Sequence, residues 1–183
     1  MKRNLLRLAA ATILSATMLI ALGSCKKEEP EDPVQVVNLT ARINVPQTVL
    51  DVADMTVTFR TSYNMLTETV DTPDWSYEFP LTGNHEMTTA MPVNVDVSLK
   101  GKSLEKGDPI NAGINYSLSF DTVFESGATE HIATFEKKNA ARIVWISSTG
   151  KFGSLAPLEY SWKGELRKDE SVPAKYSVNA LNK

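Results

Sequence analysis

The sequence predicts an all-β protein whose folded part is a single antiparallel β-sandwich. Three observations lead to this fold class. Apolar and polar residues alternate with a period of two along much of the chain after residue 34, and glycine, proline and acidic residues separate the alternating segments. No segment there has a convincing helical period. Strands also do not alternate with helices, as they would in an α/β fold.

The first half of the domain contains three well-patterned strands. Residues 37–45, 55–60 and 93–100 place an apolar side chain at every second position and mostly polar side chains between them. Because successive side chains of a strand lie on opposite faces of its sheet, these strands should be half buried.

The second half adds a hairpin and further strands. Residues 114–121 alternate in the same way, ESGA supplies turn residues, and TEHIATF returns as the partner strand. The apolar run 143–146 is continuous, as in a strand covered on both faces, so we expect it to lie centrally. Residues 158–163 and a last short strand near residue 176 bring the count to seven to nine, with immunoglobulin-like or Greek-key connections. A closed barrel remains the alternative.

Residues 1–24 have the layout of a secretory signal peptide. Lys2, Arg3 and Arg7 precede an apolar stretch over residues 8–23, and no acidic residue occurs in this part. The stretch is shorter than the roughly 20 apolar residues that a membrane-spanning helix needs. We therefore expect these residues to be removed.

The only cysteine follows directly, in the sequence Leu22-Gly23-Ser24-Cys25. This sequence resembles the lipobox of bacterial lipoproteins. The resemblance implies that the Cys25 thiol receives a diacylglyceryl group, that the chain is cut before it, and that the new amino terminus is acylated. Each buried methylene contributes roughly 0.8 kcal/mol, so two or three acyl chains hold a protein firmly to a membrane. The alternative is that Cys25 is a small buried residue.

Residues 25–33 should form an extended tether, because lysines, acids and prolines cannot build an apolar face. Lys27, Glu28 and Glu29 resemble the export signal that sends Bacteroidetes-type lipoproteins to the cell surface. The resemblance implies a lipid-anchored protein of the outer membrane that faces the cell exterior. An ordinary charged linker facing the periplasm is the alternative. The remaining residues, 34–183, are the β-sandwich domain.

Composition limits the range of functions. Without residues 1–24, the chain has 159 residues with 16 basic and 22 acidic side chains, a net charge of −6. Nucleic acid is therefore not an expected partner. A domain of about 150 residues buries roughly two thirds of the surface that its unfolded chain exposes, so it needs no metal or disulfide for stability.

Catalytic and metal-binding motifs do not occur in the sequence. His85 and His131 lack a metal-type spacing, and no serine occupies a nucleophile elbow. We expect His131 to be packed or at the edge of solvent, and His85 to lie in a loop. The acids at 71–74 and 165–170 lack the ligand spacing of a calcium loop and should be solvated. We therefore expect no enzyme activity, no metal and no cofactor.

The stretch PDWSYEFP places Trp75, Tyr77 and Phe79 on one face of an extended segment. A row of rings of this kind is how some sheets stack against sugars, which makes Trp75 and Tyr77 possible ligand-stacking residues. Aromatic side chains also dominate cores, because each ring buries a large area. We favour the core for this row, and we assign Trp145 and Trp162 to the core as well.

Two further resemblances are short. Asp121-Thr122-Val123 resembles the O-glycosylation acceptor motif of this kind of bacterium, which makes Thr122 a candidate site. The stretch INAGINYSLSF resembles the glycine-then-strand rhythm of fimbrillin-like surface sandwiches.

Function is predicted at the level of a class. The favoured hypothesis is a non-catalytic binding, adhesion or assembly-accessory module with a protein or glycan partner. The second is a surface glycan-binding lipoprotein of a nutrient-uptake system, and it depends on Trp75 and Tyr77 lying in solvent. A hydrolase or protease inhibitor is the third; catalysis would require that acids or His131 converge in one cleft.

Overall fold

A computed structural model describes residues 32–82, 87, 89–102, 110–145, 158–172 and 174–182, with the backbone alone for 111, 139–145, 158 and 159. These residues form nine strands and one short helix, α1 (Gln47–Val52). The strands are β1 (Val34–Asn44), β2 (Ala53–Arg60), β3 (Met65–Val70), β4 (Asp74–Pro80), β5 (Ala90–Gly101), β6 (Ile110–Phe124), β7 (Thr129–Trp145), β8 (Leu158–Lys168) and β9 (Tyr176–Ala180).

The strands build two antiparallel sheets. One has the order β4-β1-β6-β7 and the other the order β3-β2-β5-β8-β9. The predicted all-β sandwich is thereby confirmed, with nine strands in two open sheets rather than one closed barrel. The signal peptide, Cys25 and the export residues Lys27, Glu28 and Glu29 lie outside the described residues.

The core lies between the two sheets and follows the alternation of the sequence. In β2, for example, every inward residue from Ala53 to Phe59 is buried. Aromatic rings join the sheets. Phe120 and Phe135 of the four-stranded sheet lie 5.4 and 5.1 Å from Trp162 of the other sheet, measured between ring centroids. The core assignment of Trp162 is confirmed, since the side chain is buried.

Two local features differ from the sequence analysis. Helix α1 buries Val49, Leu50 and Val52, but its six residues are too few to show a helical period. The apolar run 143–146 was expected in a central strand, and that expectation is wrong. Residues 143–145 belong to β7, which pairs only with β6 among the described strands. A continuous apolar run does not show how many strands flank the strand that contains it.

The beginning of the sandwich is held beside the turn between β6 and β7. The Glu125 amide donates to the Pro33 carbonyl at 2.9 Å, and the Ser126 amide donates to Asp32 Oδ1 at 3.2 Å. The Ser126 hydroxyl also donates to the Asp32 carboxylate. The chain therefore enters β1 at the end of the sandwich that carries this turn.

Candidate functional site

The candidate site is a groove of about 420 Å³ that crosses the four-stranded sheet. Each of the four strands contributes three consecutive residues to its lining: 74–76 from β4, 42–44 from β1, 115–117 from β6 and 136–138 from β7. We call this feature the transverse groove.

The strand register explains why these twelve residues come together. Arg42 pairs with Ser76 on one side and Ser117 on the other, so these outward side chains form one row across the sheet. Asn44 forms the neighbouring row with Asp74 and Asn115. The two rows are the walls of the groove, since residues two apart on a strand share one face.

Between the two rows lie residues whose side chains point into the sandwich. Ile43 pairs with Trp75 and with Tyr116, and all three are buried. Their strand segments form the floor of the transverse groove. The floor is consequently part of the core, whereas the walls consist of polar side chains that are exposed or partly exposed.

The charged residues of the groove differ in whether they have hydrogen-bond partners. Asn44 Nδ2 donates to Asp74 Oδ1 at 2.6 Å, and Asn115 Nδ2 donates to Asn44 Oδ1 at 3.4 Å, so the Asp74 carboxylate already has a partner. Within the described part of the chain, no hydrogen bond or ion pair engages Arg42 or Lys138, and both side chains are exposed. The groove therefore presents two cationic groups that are available to a ligand.

Beneath the floor, two tyrosines connect the sheets. The hydroxyl groups of Tyr116 and Tyr160 are hydrogen bonded to each other, and their rings lie 4.6 Å apart. Burial raises the pKa of Tyr116 well above its ordinary value of 10.0, and the hydrogen bond to Tyr160 raises it further. Lys137 Nζ lies 5.1 Å from the centre of the Tyr160 ring, a cation–π distance.

A second polar cluster occupies the same outer face, nearer to the β6–β7 turn. His131 Nδ1 lies 2.8 Å from Asp121 Oδ1, and His131 Nε2 lies 3.1 Å from Thr134 Oγ1. Ser119 Oγ donates to the other oxygen of Asp121 at 2.9 Å. The cluster exists because the ladder shifts register between Phe120 and Asp121, a bulge that turns His131 and Thr134 to one face.

The contact order in this cluster, hydroxyl to imidazole to carboxylate, is that of hydrolase triads. The cluster differs from hydrolase triads in its exposure to solvent. The His131 side chain is 54% exposed, so it lacks the water-excluded environment in which such a triad activates a nucleophile. We interpret the cluster as a hydrogen-bond network of the sheet surface, in agreement with the solvent-edge position expected for His131. His85 lies outside the described residues.

The aromatic row lies in the core. Trp75 is 7% exposed and Phe79 3% exposed, while Tyr77 is half buried. The Trp75 and Tyr77 rings stack on each other with centroids 6.0 Å apart, and Phe79 stacks on Phe59 of the opposite sheet. The condition for ligand stacking, two rings lying in solvent on a flat face, is not met. Trp75 reaches the transverse groove only as part of its floor.

Thr122 is also inside the sandwich, with 2% of its surface exposed. A glycan on its hydroxyl cannot be accommodated between the sheets, so O-glycosylation at Thr122 stays a prediction for the unfolded chain alone. Two of the acids near residue 165 have other partners: Glu165 pairs with Arg167 at 2.7 Å, and Asp169 accepts hydrogen bonds from Ser171. No group of three or more potential metal ligands occurs among the described residues.

Sequence reasoning missed the residues of the transverse groove. Arg42, Asn44 and Lys138 look like ordinary solvent-facing members of their strands. Only the register of four strands that are distant in sequence brings them together. The one sequence signal for the site is that cations and amides occupy outward positions of β1, β6 and β7.

Comparisons with known proteins give no identification. No protein-family model, no curated protein and no solved structure matches this chain significantly. Among the described residues, no helix has the length and hydropathy needed to cross a membrane.

Proposed function

We propose that this chain is a lipid-anchored outer-membrane protein that faces the cell exterior and acts as a non-catalytic binding module. The observation that supports a binding role is the transverse groove, in which the exposed cations Arg42 and Lys138 have no hydrogen-bond or ion-pair partner among the described residues. Lipobox-like residues ending at Cys25 support the anchor.

The position of the groove relative to the tether fits this role. Asp32 and Pro33 are held at the β6–β7 turn, whereas the groove lies nine residues away along β6, from Phe124 to Asn115. At about 3.4 Å per residue, this separation is roughly 30 Å. The described chain therefore enters the sandwich at one end, and the groove lies towards the other end.

Protease shaving of intact cells tests the location. We expect the native protein to be cleaved on whole cells, and a variant with Lys27, Glu28 and Glu29 replaced by alanine to be protected until the cells are lysed. A Cys25→Ala variant should lose its association with the membrane fraction. Protection of the native protein on intact cells would contradict surface exposure and would favour a periplasmic role in envelope assembly.

The alternative of a surface glycan-binding lipoprotein cannot rest on Trp75 and Tyr77, because Trp75 is buried and Tyr77 is half buried and packed against the core. The specific observation that still favours a glycan ligand is the polarity of the groove walls.

A further inference from the structure

We propose that the transverse groove binds an acidic saccharide, a sugar ligand that carries a carboxylate or sulfate group. This inference rests on the proposed binding function and names the ligand class of the same site. It is argued from the charges of the groove, from its polar walls, and from the character of the whole outer face.

The charges favour an anion. Arg42 and Lys138 line the groove and have no hydrogen-bond or ion-pair partner within the described residues, whereas Asp74 accepts a hydrogen bond from the neutral Asn44 amide and keeps its negative charge. A guanidinium presents a planar fork of donors that matches a carboxylate or sulfate group with two parallel hydrogen bonds. The lining has three cationic residues, Arg42, Lys137 and Lys138, against the acids Asp74 and Glu136, so its formal balance is +1 in a domain whose net charge is negative.

The walls favour hydroxyl groups on the rest of the ligand. Ser76 and Ser117 flank Arg42 in its row, and each hydroxyl can both donate and accept. Glu136 follows Ser117 in the same row and is exposed, with no partner among the described residues. The backbones of Arg42 and Glu136 are two strand spacings apart, about 10 Å, and the Glu136 carboxylate can accept hydrogen bonds from sugar hydroxyls.

The outer face disfavours a protein partner. Protein interfaces are centred on buried aromatic and apolar anchors. The exposed large hydrophobic residues of the described chain are Tyr63, Met65, Val172 and Leu181, and none of them belongs to the four-stranded sheet. A volume of about 420 Å³ lies within the range of small-molecule sites, so the groove can hold a small oligosaccharide segment.

Calorimetric titration of the full-length acylated protein in detergent tests the inference. The probes are a panel of uronate and sulfated disaccharides, beginning with digalacturonate, with digalactose as the matched neutral sugar and citrate as a simple anion. We expect at least one acidic disaccharide to bind more than tenfold more tightly than digalactose and citrate.

The groove variants are Arg42→Ala and Lys138→Ala, each expected to weaken that binding about tenfold or more. Arg42→Lys should give a smaller loss, because it keeps the charge and loses the planar fork. Arg60→Ala and Lys163→Ala are the matched controls, since both side chains are exposed on the five-stranded sheet. Thermal unfolding of every variant confirms that the fold is retained.

Two results would overturn the inference: equal affinity for digalactose and digalacturonate, or groove variants that bind as well as the native protein. So would a panel in which no acidic saccharide binds, whether or not an acidic peptide does. Cell shaving reports on surface location independently, so the saccharide inference can fail while the proposed location stands.

Discussion

Tyr116 connects the floor of the groove with the opposite sheet, and its ionisation links pH to stability. The neutral phenol is buried and hydrogen bonded to Tyr160, and for both reasons the pKa of Tyr116 is raised in the folded protein. A raised folded pKa means that the folded state holds the proton more tightly than the unfolded state. The associated stability is complete below the unfolded pKa near 10 and is lost as the pH rises above it.

We therefore expect the free energy of unfolding to fall as the pH rises above about 10, and Tyr116→Phe to make this fall less steep. Urea unfolding of both proteins from pH 8 to pH 11 measures the effect, with Tyr63→Phe as an exposed control. Part of the pH dependence should remain, since burial also raises the pKa of Tyr176. An unchanged slope in Tyr116→Phe would contradict the assignment.

The indole of Trp162 leaves no room for a side chain at position 164. Both residues point into the core from β8, and a Cβ placed on Gly164 would overlap the Trp162 ring. Gly164→Ala should destabilise the protein by about 1–3 kcal/mol, because a packed core cannot accommodate an added methyl without moving the ring. Chemical unfolding followed by tryptophan fluorescence measures it, and Lys163→Ala, one residue away on the exposed face, is the control. A change below about 0.5 kcal/mol in Gly164→Ala would show that the ring can move aside at little cost.

At the scale of elements, the β6–β7 hairpin depends on the conformation of Gly127. Its φ of +86° lies in the left-handed region, and its amide donates to the Phe124 carbonyl within the turn. Gly127→Ala should lower the free energy of unfolding by about 1 kcal/mol, since a Cβ is disfavoured in that region even though space is free around it. Thermal unfolding tests this, with Thr129→Ala as a neighbouring control. An equally stable Gly127→Ala variant would mean that the turn adopts another conformation at no cost.

The same hairpin shows which features the sequence can predict. The alternation of apolar and polar residues predicted β6 and the returning strand, and ESGA predicted the turn between them, because each of these features depends only on neighbouring residues in the sequence. The bulge at Asp121 and the outer position of β7 could not be predicted, because both depend on how a strand meets its neighbours. The groove was missed for the same reason: Arg42 and Ser117 are 75 positions apart and meet only through the register of β1 and β6.

At the scale of the whole molecule, the proposed anchor at Cys25 leads to a prediction about which end of the sandwich lies nearer the membrane, because Asp32 and Pro33 are held beside the β6–β7 turn. We expect the β6–β7 turn to lie close to the lipid, and α1, which follows the far end of β1, to lie far from it. A fluorophore on Glu125→Cys should be quenched more strongly by spin-labelled lipid headgroups than one on Thr48→Cys. The acylated protein in vesicles suits this measurement, because acylation would block Cys25, the only native cysteine. Equal quenching at both positions would contradict the orientation.

The attachment of the tether to β1 also has a mechanical consequence. β1 is hydrogen bonded to β4 on one side and to β6 on the other, and it carries Arg42 and Asn44 near its far end. If the chain were anchored at Cys25 and a bound ligand were dragged by flow, force entering through Arg42 would run along the β1 backbone itself. Force entering through Lys138 on β7 would reach β1 only across the β7–β6 and β6–β1 ladders. It would load both ladders in shear, so many hydrogen bonds would resist together instead of opening one at a time.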